Sequence, residues 1–551
     1  MKQPLHKFLI ALTIIALFLP KISTAEHLSV EESIRERIES AAEILDLSID
    51  NQPLNSQKGL ITFYSDRQFS KAWLANGQPT PQAYQLIHIL NSADQHGLNK
   101  SNYHVTAINE RLERLKAPLD ESEVLILSVD LDLLLSDAFL TYGTHLIQGQ
   151  VNPQKLQSKW DTGRRATDMV KILTDAINTN SIEQSLNELM PKQPGYRSLV
   201  RALADHHAIK DRGGWPSVTK GPSLRPDEKN PRIIELRKRL AASGDLVNDV
   251  ALDNQEFDRS LQQAVKYFQK RHGLETDSIV GKATLAALNV SVDQRIAQIR
   301  ANLERWRWLP DDLGARHIMV NIAGFELDFV GNGEVLLHMP VIVGKTYRET
   351  PVFTGSMTYL VINPSWYVPN SIAVKDKLPI LVRDPYYIER NHMKLYRGWG
   401  ANRTEINPLS VNWRQVDPNN FPFRLVQKPG PKNAMGKVKF MFPNPHNVYL
   451  HDTSEPSLFN RVDRTFSSGC IRVGKPFALA NLVLENNSRM TPDAIREAFD
   501  QSDQKTVTLL NPIPVHILYW TAWVDLEGVV QFRRDIYNRD DELIQKLQKS
   551  F

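Results

Sequence analysis

A chain of 551 residues, 42% hydrophobic and 23% charged, is long enough for roughly two to four domains with cores of their own and ordinary in composition for a globular protein. Its 66 basic and 62 acidic residues leave a net charge of +4, which gives no electrostatic case for nucleic acid as a partner. The single cysteine, Cys470, excludes an internal disulfide framework.

Lys2 and Lys7 precede an apolar run from Phe8 to Leu19, followed by Pro20 and then Ser23-Thr24-Ala25 before Glu26. That order of charge, apolar run and small residues predicts a secretory signal peptide, residues 1–25, cut after Ala25. The apolar run falls short of the roughly 20 residues that span a bilayer, so no stable membrane span is expected once the leader is removed. With Lys2, Lys7 and Lys21 gone the charge falls to +1. Stability must then come from domain size, although the compartment would permit disulfides.

Residues 26–230 read as a helical scaffold. Val30 to Ile38 opens one helix, Leu125 to Leu146 gives a long apolar one, and spacings of three and four recur through Tyr84 to Leu90 and Ile172 to Leu189. No catalytic constellation shows here. His145, His206 and His207 are scattered without ligand spacing, so no metal is expected, and Asp211 to Pro216 reads as a loop at a domain edge.

Residues 231–290 predict three short helices. Ile233, Leu236 and Leu240 share one face, Leu261, Val265 and Phe268 another, Gly273 caps the second helix, and the third runs from Lys282 to Leu288. The strings Ala264 to Leu274 and Val280 to Asn289 resemble the helical peptidoglycan-binding module of cell-wall enzymes. A linking helix, within 291–314, ends near Trp306 to Pro310.

From residue 315 the period changes from helical to alternating. Ile318, Val320 and Ile322, then Phe325, Leu327 and Phe329, predict a hairpin, and Val335 to Val343 a third strand. Further strands are expected at Met357 to Ile362, Lys437 to Phe442 and Asn447 to His451. This mainly-β domain, 315–510, is interrupted at 371–428, where only Ile372 to Leu381 reads as helix; an insertion that long is either a functional lid, the favoured reading, or a region whose pattern is wrongly parsed. Residues 511–551 return to strands at Val515 to Trp520 and a hairpin at Glu527-Gly528, then a short helix.

Cys470 follows Ser467-Ser468-Gly469, nineteen residues after His451. A thiolate at neutral pH needs a base, and the carbonyl it attacks needs backbone N–H donors for its developing charge. His451 closes an apolar strand, and Thr453 to Ser467 is long enough to bring Cys470 beside it. Gly469 allows a tight turn that leaves amides near the sulfur open. By chemistry alone a lone cysteine is also well explained as a small buried hydrophobe.

His451-Asp452-Thr453 followed by Ser467-Ser468-Gly469-Cys470-Ile471-Arg472 closely resembles the signature of the L,D-transpeptidases, with the mainly-β YkuD-type catalytic domain. The match extends through Gly344, Thr350-Pro351 and Gly355, and the domain order resembles the large multidomain Gram-negative-type members. Many relatives carry histidine at the position of Ser468, so a second-imidazole role is absent here. The fold expected is multidomain α+β: helical scaffold, three-helix peptidoglycan-binding module, and YkuD-type domain with a capping insertion.

The resemblance implies that Cys470 is the nucleophile and His451 the general base and acid, with the imidazole oriented by a backbone carbonyl near Asp452. The amides of Gly469 and Cys470 would hold the oxyanion. Arg472 either meets a substrate carboxylate or makes a structural ion pair; Ser468 is placed with the substrate-binding residues. Tyr449 faces the pocket or fills the strand's other face, and Trp366 walls the cleft or packs in a core. The implied reaction is acyl transfer in the periplasm from a tetrapeptide stem, with loss of its terminal D-alanine, to a diamino-acid amine of another stem, forming a 3,3 cross-link. An L,D-carboxypeptidase or a transferase attaching a protein to the wall would use the same thioester, and a wall-binding scaffold with an inert thiol would use none. No cofactor is implied; the partners are donor and acceptor stem peptides.

Overall fold

The computed structural model describes residues 28–156, 160, 165–247, 251–398 and 400–549, and the leader expected at residues 1–25 lies outside them. The molecule is multidomain, with helical domains leading into a β-barrel. Helix Val30–Ile44 begins at Ser29 and helix Glu121–Gln148 at Asp120, each with a reciprocal capping box to a glutamate three residues on. The long helix is buried on all sides through its middle, which makes it the post of the helical domain. Its Asp132 accepts the Trp73 amide at 2.8 Å and the Tyr64 hydroxyl at 2.6 Å, so a buried carboxylate is fully partnered. Asn180, at φ 53°, splits Met169–Asn178 from Ile182–Glu188 where the apolar spacing runs on unbroken.

Helix Pro194–Asp211 leaves that core and packs on the linking helix Val292–Arg307 and the chain's terminal hairpin, Ala522–Val524 with Val530–Phe532. Trp306 stacks on Trp520 there, ring centroids 4.4 Å apart. The three-helix module, Arg232–Ala242, Arg259–Arg271 and Lys282–Leu288, has its own core around Ile233, Leu236, Leu261 and Phe268. Val218 and Leu224 join it, because Leu224 bridges to Val280, so the module starts upstream of Pro231.

The catalytic-type domain is built from Arg316–Asn321 (β1), Glu326–Gly331 (β2), Glu334–Gly344 (β3), Phe353–Ile362 (β4), Val438–Met441 (β5), Leu450–His451 (β6), Thr465–Ser467 (β7), Ile471–Val473 (β8) and Lys505–Leu518 (β9). They pair in the order β7-β3-β8-β6-β5-β4-β9-β1-β2, and β2 pairs with β3 as well, which closes the sheet into a barrel with β7 alongside. Val320, Leu327, Val341, Leu360, Phe440, Leu450, Ile471 and Ile517 fill its inside.

The insertion between β4 and β5 corrects the expectation of a nearly patternless stretch. It holds a four-stranded antiparallel sheet, in the order Thr404–Ile406, Met393–Arg397, Phe423–Gln427, Trp366–Tyr367, around a core of its own. Met393 and Leu395 alternate with Lys394 and Tyr396, and Phe423 and Leu425 with Arg424 and Val426, in runs too short to stand out among the Asn and Pro turns. The expected helix is present as Asn370–Ile372 and Leu378–Leu381, joined by a π turn, Ala373–Lys377.

Candidate active site

Strands β6 and β8 run parallel, with Leu450 opposite Ile471 and His451 opposite Arg472; β5 flanks β6 with Lys439 opposite His451. Side chains alternate along a strand. Phe440, Leu450 and Ile471 point into the barrel core, so Lys439, Tyr449, His451, Cys470 and Arg472 share the other face. A parallel neighbour requires a crossover. Here it is the segment after His451, with a short helical turn at Pro456–Asn460 and then β7, which lies along β3.

The turn before Cys470 is pinned from both sides. Ser467 Oγ donates to the Cys470 carbonyl at 2.5 Å and accepts the Gly469 amide at 3.2 Å. Gly469 sits at φ 112°, where a Cβ is strained. Thr350 Oγ1 donates to the Gly469 carbonyl at 2.9 Å and accepts the Gly344 amide at 3.0 Å. A Cβ on Gly344 would come 2.1 Å from the Arg348 carbonyl, so the 345–350 loop reaches this turn only across a glycine. One of the two expected oxyanion donors, the Gly469 amide, is therefore engaged by Ser467, leaving the Cys470 amide unless that hydroxyl turns away.

The His451 ring meets the backbone carbonyl of the next residue. Its Nδ1 lies 2.5 Å from the Asp452 carbonyl, which can only accept, so Nδ1 carries the proton and Nε2 keeps its lone pair. The Asp452 carboxylate is turned elsewhere, accepting the Lys437 and Thr453 amides at 2.7 Å each. Burial pushes His451 down to about 3, with Arg472 and Lys439 adding to the effect, so the ring is neutral at neutral pH.

Cys470 is half-buried. Burial pushes its thiol up, while the amide and hydroxyl of Tyr449 and the charge of Lys439 act to lower it. Sγ is turned toward the Asn447 carbonyl, 3.8 Å away. The groups that meet the sulfur are thus Tyr449 and Asn447, and handing its proton to His451 requires Sγ to rotate toward the ring.

The remaining expected residues divide. Tyr449 is on the site face, 5.7 Å from the His451 ring by centroid, and packs against the cores of both the barrel and the insertion. Ser468 Oγ accepts from Arg348 at 2.9 Å. Arg472 pairs with Glu455 at 2.7 Å. Trp366 is buried in the core of the insertion. Sequence reasoning passed over Lys439, whose ammonium lies 3.6 Å from the Tyr449 ring centroid. Alternation in Val438-Lys439-Phe440 gives its face, but its neighbours follow only from the β5–β6 register. Arg348 was passed over as well, since nothing in the sequence links it to the insertion.

Three families match the chain in order: a scaffold domain at residues 58–203, a provisional peptidoglycan binding domain at 229–288 and the L,D-transpeptidase catalytic domain, YkuD, at 315–515. A Haemophilus influenzae protein provisionally named an L,D-transpeptidase is 32% identical over 253 residues, 46% of this chain and 49% of that protein. The match thus spans about half the length of that curated relative. Among solved structures, an L,D-transpeptidase from Mycobacterium smegmatis is 14% identical, covering 37% of this chain and 58% of its own at a TM-score of 0.17. One from Stackebrandtia nassauensis is 14% identical, covering 55% and 96% at a TM-score of 0.20. Scores so low carry no argument, and the assignment rests on the family match and the curated relative. Residues 315–515 thus match the L,D-transpeptidase catalytic domain, YkuD, carried beside a match to a peptidoglycan-binding domain at 229–288.

Proposed function

We propose that this protein forms 3,3 cross-links in peptidoglycan, with Cys470 as nucleophile and His451 as general base and acid. The observation that carries this reading is the outer face shared by β6 and β8, where a neutral imidazole with a free Nε2 stands one strand from the chain's only thiol. With Sγ rotated toward the ring, Nε2 takes the thiol proton and the sulfur attacks the carbonyl of the L-centred third linkage of a tetrapeptide stem. The Cys470 amide, joined by the Gly469 amide when Ser467 releases it, meets the oxygen as it becomes negative. Collapse breaks the C–N bond, and His451 returns the proton to the departing D-alanine amine, leaving a thioester on Cys470. The side-chain amine of a diamino acid on a second stem gives a proton to His451 and attacks; the C–S bond breaks and the sulfur recovers a proton.

The insertion shields the thioester from water, so that an amine rather than hydroxide resolves it. The three-helix module holds the enzyme to the wall, and the protein works in the periplasm after loss of residues 1–25. Incubating muropeptides with the protein and with Cys470→Ala tests this reading by mass analysis. Tetrapeptide-to-tripeptide dimers that vanish in the variant are the expected result. Shortened monomers alone would replace it with a carboxypeptidase on the same site, and unchanged muropeptides with a non-catalytic wall-binding protein.

A further inference from the structure

Lys439 stands in the middle of the barrel wall, between β4 and β6, with no acidic partner among the described residues. An ammonium half-buried without a counter-ion is held at a cost in solvation, and burial lowers its affinity for the proton. The Tyr449 ring centroid lies 3.6 Å from its ammonium. The Ile471 amide donates to the Tyr449 carbonyl at 3.1 Å, which fixes the backbone of Cys470 alongside that same tyrosine. A cation on the face of a phenol withdraws electron density from it and makes its O–H a stronger donor.

We propose that Lys439 is a positioning residue for the sulfur: seated on Tyr449, it clamps the ring so that the hydroxyl meets Cys470, and it supplies the fixed positive charge that favours the thiolate. The inference rests on Cys470 being the reactive group of the proposed function. It gives the neutral imidazole a smaller task, since His451 then has only to receive a proton from a sulfur whose anion is already accommodated. The other charged or titratable groups around the sulfur do not supply this. Arg472 is tied to Glu455, Arg348 to Asp376 in the insertion, Glu349 to Arg539, and His451 is neutral.

The test needs no peptidoglycan. The rate at which iodoacetamide, a neutral reagent, alkylates the single cysteine is followed from pH 7 to pH 11 in the full chain, in Lys439→Met, Lys439→Arg and Tyr449→Phe. Lys439→Met should move the alkylation midpoint to higher pH, lowering the rate at pH 8 about tenfold, the equivalent of about one pH unit. Lys439→Arg should recover most of that loss, and Tyr449→Phe should reproduce part of it while making Lys439→Met less damaging in the double variant. Circular dichroism and a thermal melt of each variant separate this from misfolding. A midpoint in Lys439→Met equal to that of the parent protein overturns the proposal, as does one that shifts equally in Lys439→Arg. If alkylation is unaltered in Lys439→Met but KM for a tetrapeptide donor rises, the lysine reads a substrate carboxylate instead. A parent protein that alkylates normally but forms no cross-links would sink the proposed function and leave this inference standing.

Discussion

Arg348 holds Asp376 with both prongs of its guanidinium, Nη2 standing 2.9 Å from Asp376 Oδ1, and reaches from Nη1 to Ser468 Oγ at 2.9 Å. Asp376 lies in the π turn of the insertion, and Ser468 lies two residues before Cys470. One side chain from the loop after β3 therefore ties the insertion to the turn that carries the thiol. Tyr449, packed against both the barrel and the insertion, ties them a second time.

Breaking the Arg348–Asp376 pair should therefore change partition more than stability. The Asp376 side chain is 38% exposed, and pairs open to solvent on one side are worth about 0 to 1 kcal/mol. Asp376→Asn should unfold within about 1 kcal/mol of the parent protein in urea, while the ratio of shortened monomers to dimers rises severalfold because water reaches the thioester. Arg348→Ala should do the same, and the double variant should add nothing further. An unaltered product ratio in Asp376→Asn would show that the insertion does not govern access of water.

Gly344→Ala should damage the site from outside it. The added methyl would stand 2.1 Å from the Arg348 carbonyl and 2.9 Å from the Thr350 amide, both backbone atoms with little freedom to yield. Displacing that loop loosens the Thr350 hydroxyl from the Gly469 carbonyl. The expected cost is about 2 kcal/mol or more in urea unfolding, with cross-linking lost by a larger factor than stability alone explains. A fully active Gly344→Ala would mean that the loop has room the close approach denies.

The thiol should titrate as a thiol rather than as half of an ion pair. His451 is neutral near pH 7, and burial raises Cys470 above its ordinary value despite Tyr449 and Lys439. Iodoacetamide alkylation of the parent protein should climb about tenfold per pH unit from 6 to 8. A plateau across that range would reveal a preformed thiolate–imidazolium pair and contradict the neutral ring.

Much of this arrangement is legible in the residues. The alternation of Ile318, Val320 and Ile322 announces β1, and the small residues around Gly469 announce a tight turn. Fifteen residues between Asp452 and Ser468 allow the crossover that parallel pairing of β6 and β8 demands. What the residues do not carry is register. That Lys439 stands opposite His451, or that Arg348 finds Asp376 in the insertion, depends on pairings between distant segments, which no local spacing encodes. The insertion's sheet escaped for a different reason: its strands span two to five residues, fewer than periodicity needs to rise above the turns between them. The oxyanion donors illustrate a third limit, since the Ser467 hydroxyl that occupies the Gly469 amide becomes visible only when both atoms have positions.

Acid should weaken this protein through its buried histidines, and His206 offers the clearest case. Its ring lies edge-on to Trp215 and Phe532, with Nδ1–H donating to the Ala202 carbonyl at 2.7 Å. Burial pushes it down to about 4, as it does His96, whereas an imidazole in the unfolded chain protonates near about 6.5. Between those values the unfolded state binds a proton that the folded state refuses. The stability is therefore fully present above about pH 6.5 and is lost as the pH falls toward 4. For one such ring the loss between pH 7.5 and pH 5 comes to about 2 kcal/mol. His206→Phe keeps the aromatic packing, gives up one hydrogen bond and cannot titrate. Urea unfolding should find it about 1 kcal/mol less stable at pH 7.5, yet losing about 2 kcal/mol less than the parent protein on going to pH 5. Parallel losses in the two proteins would mean that the ring accepts its proton while folded, with the Trp215–Phe532 pocket opening to water.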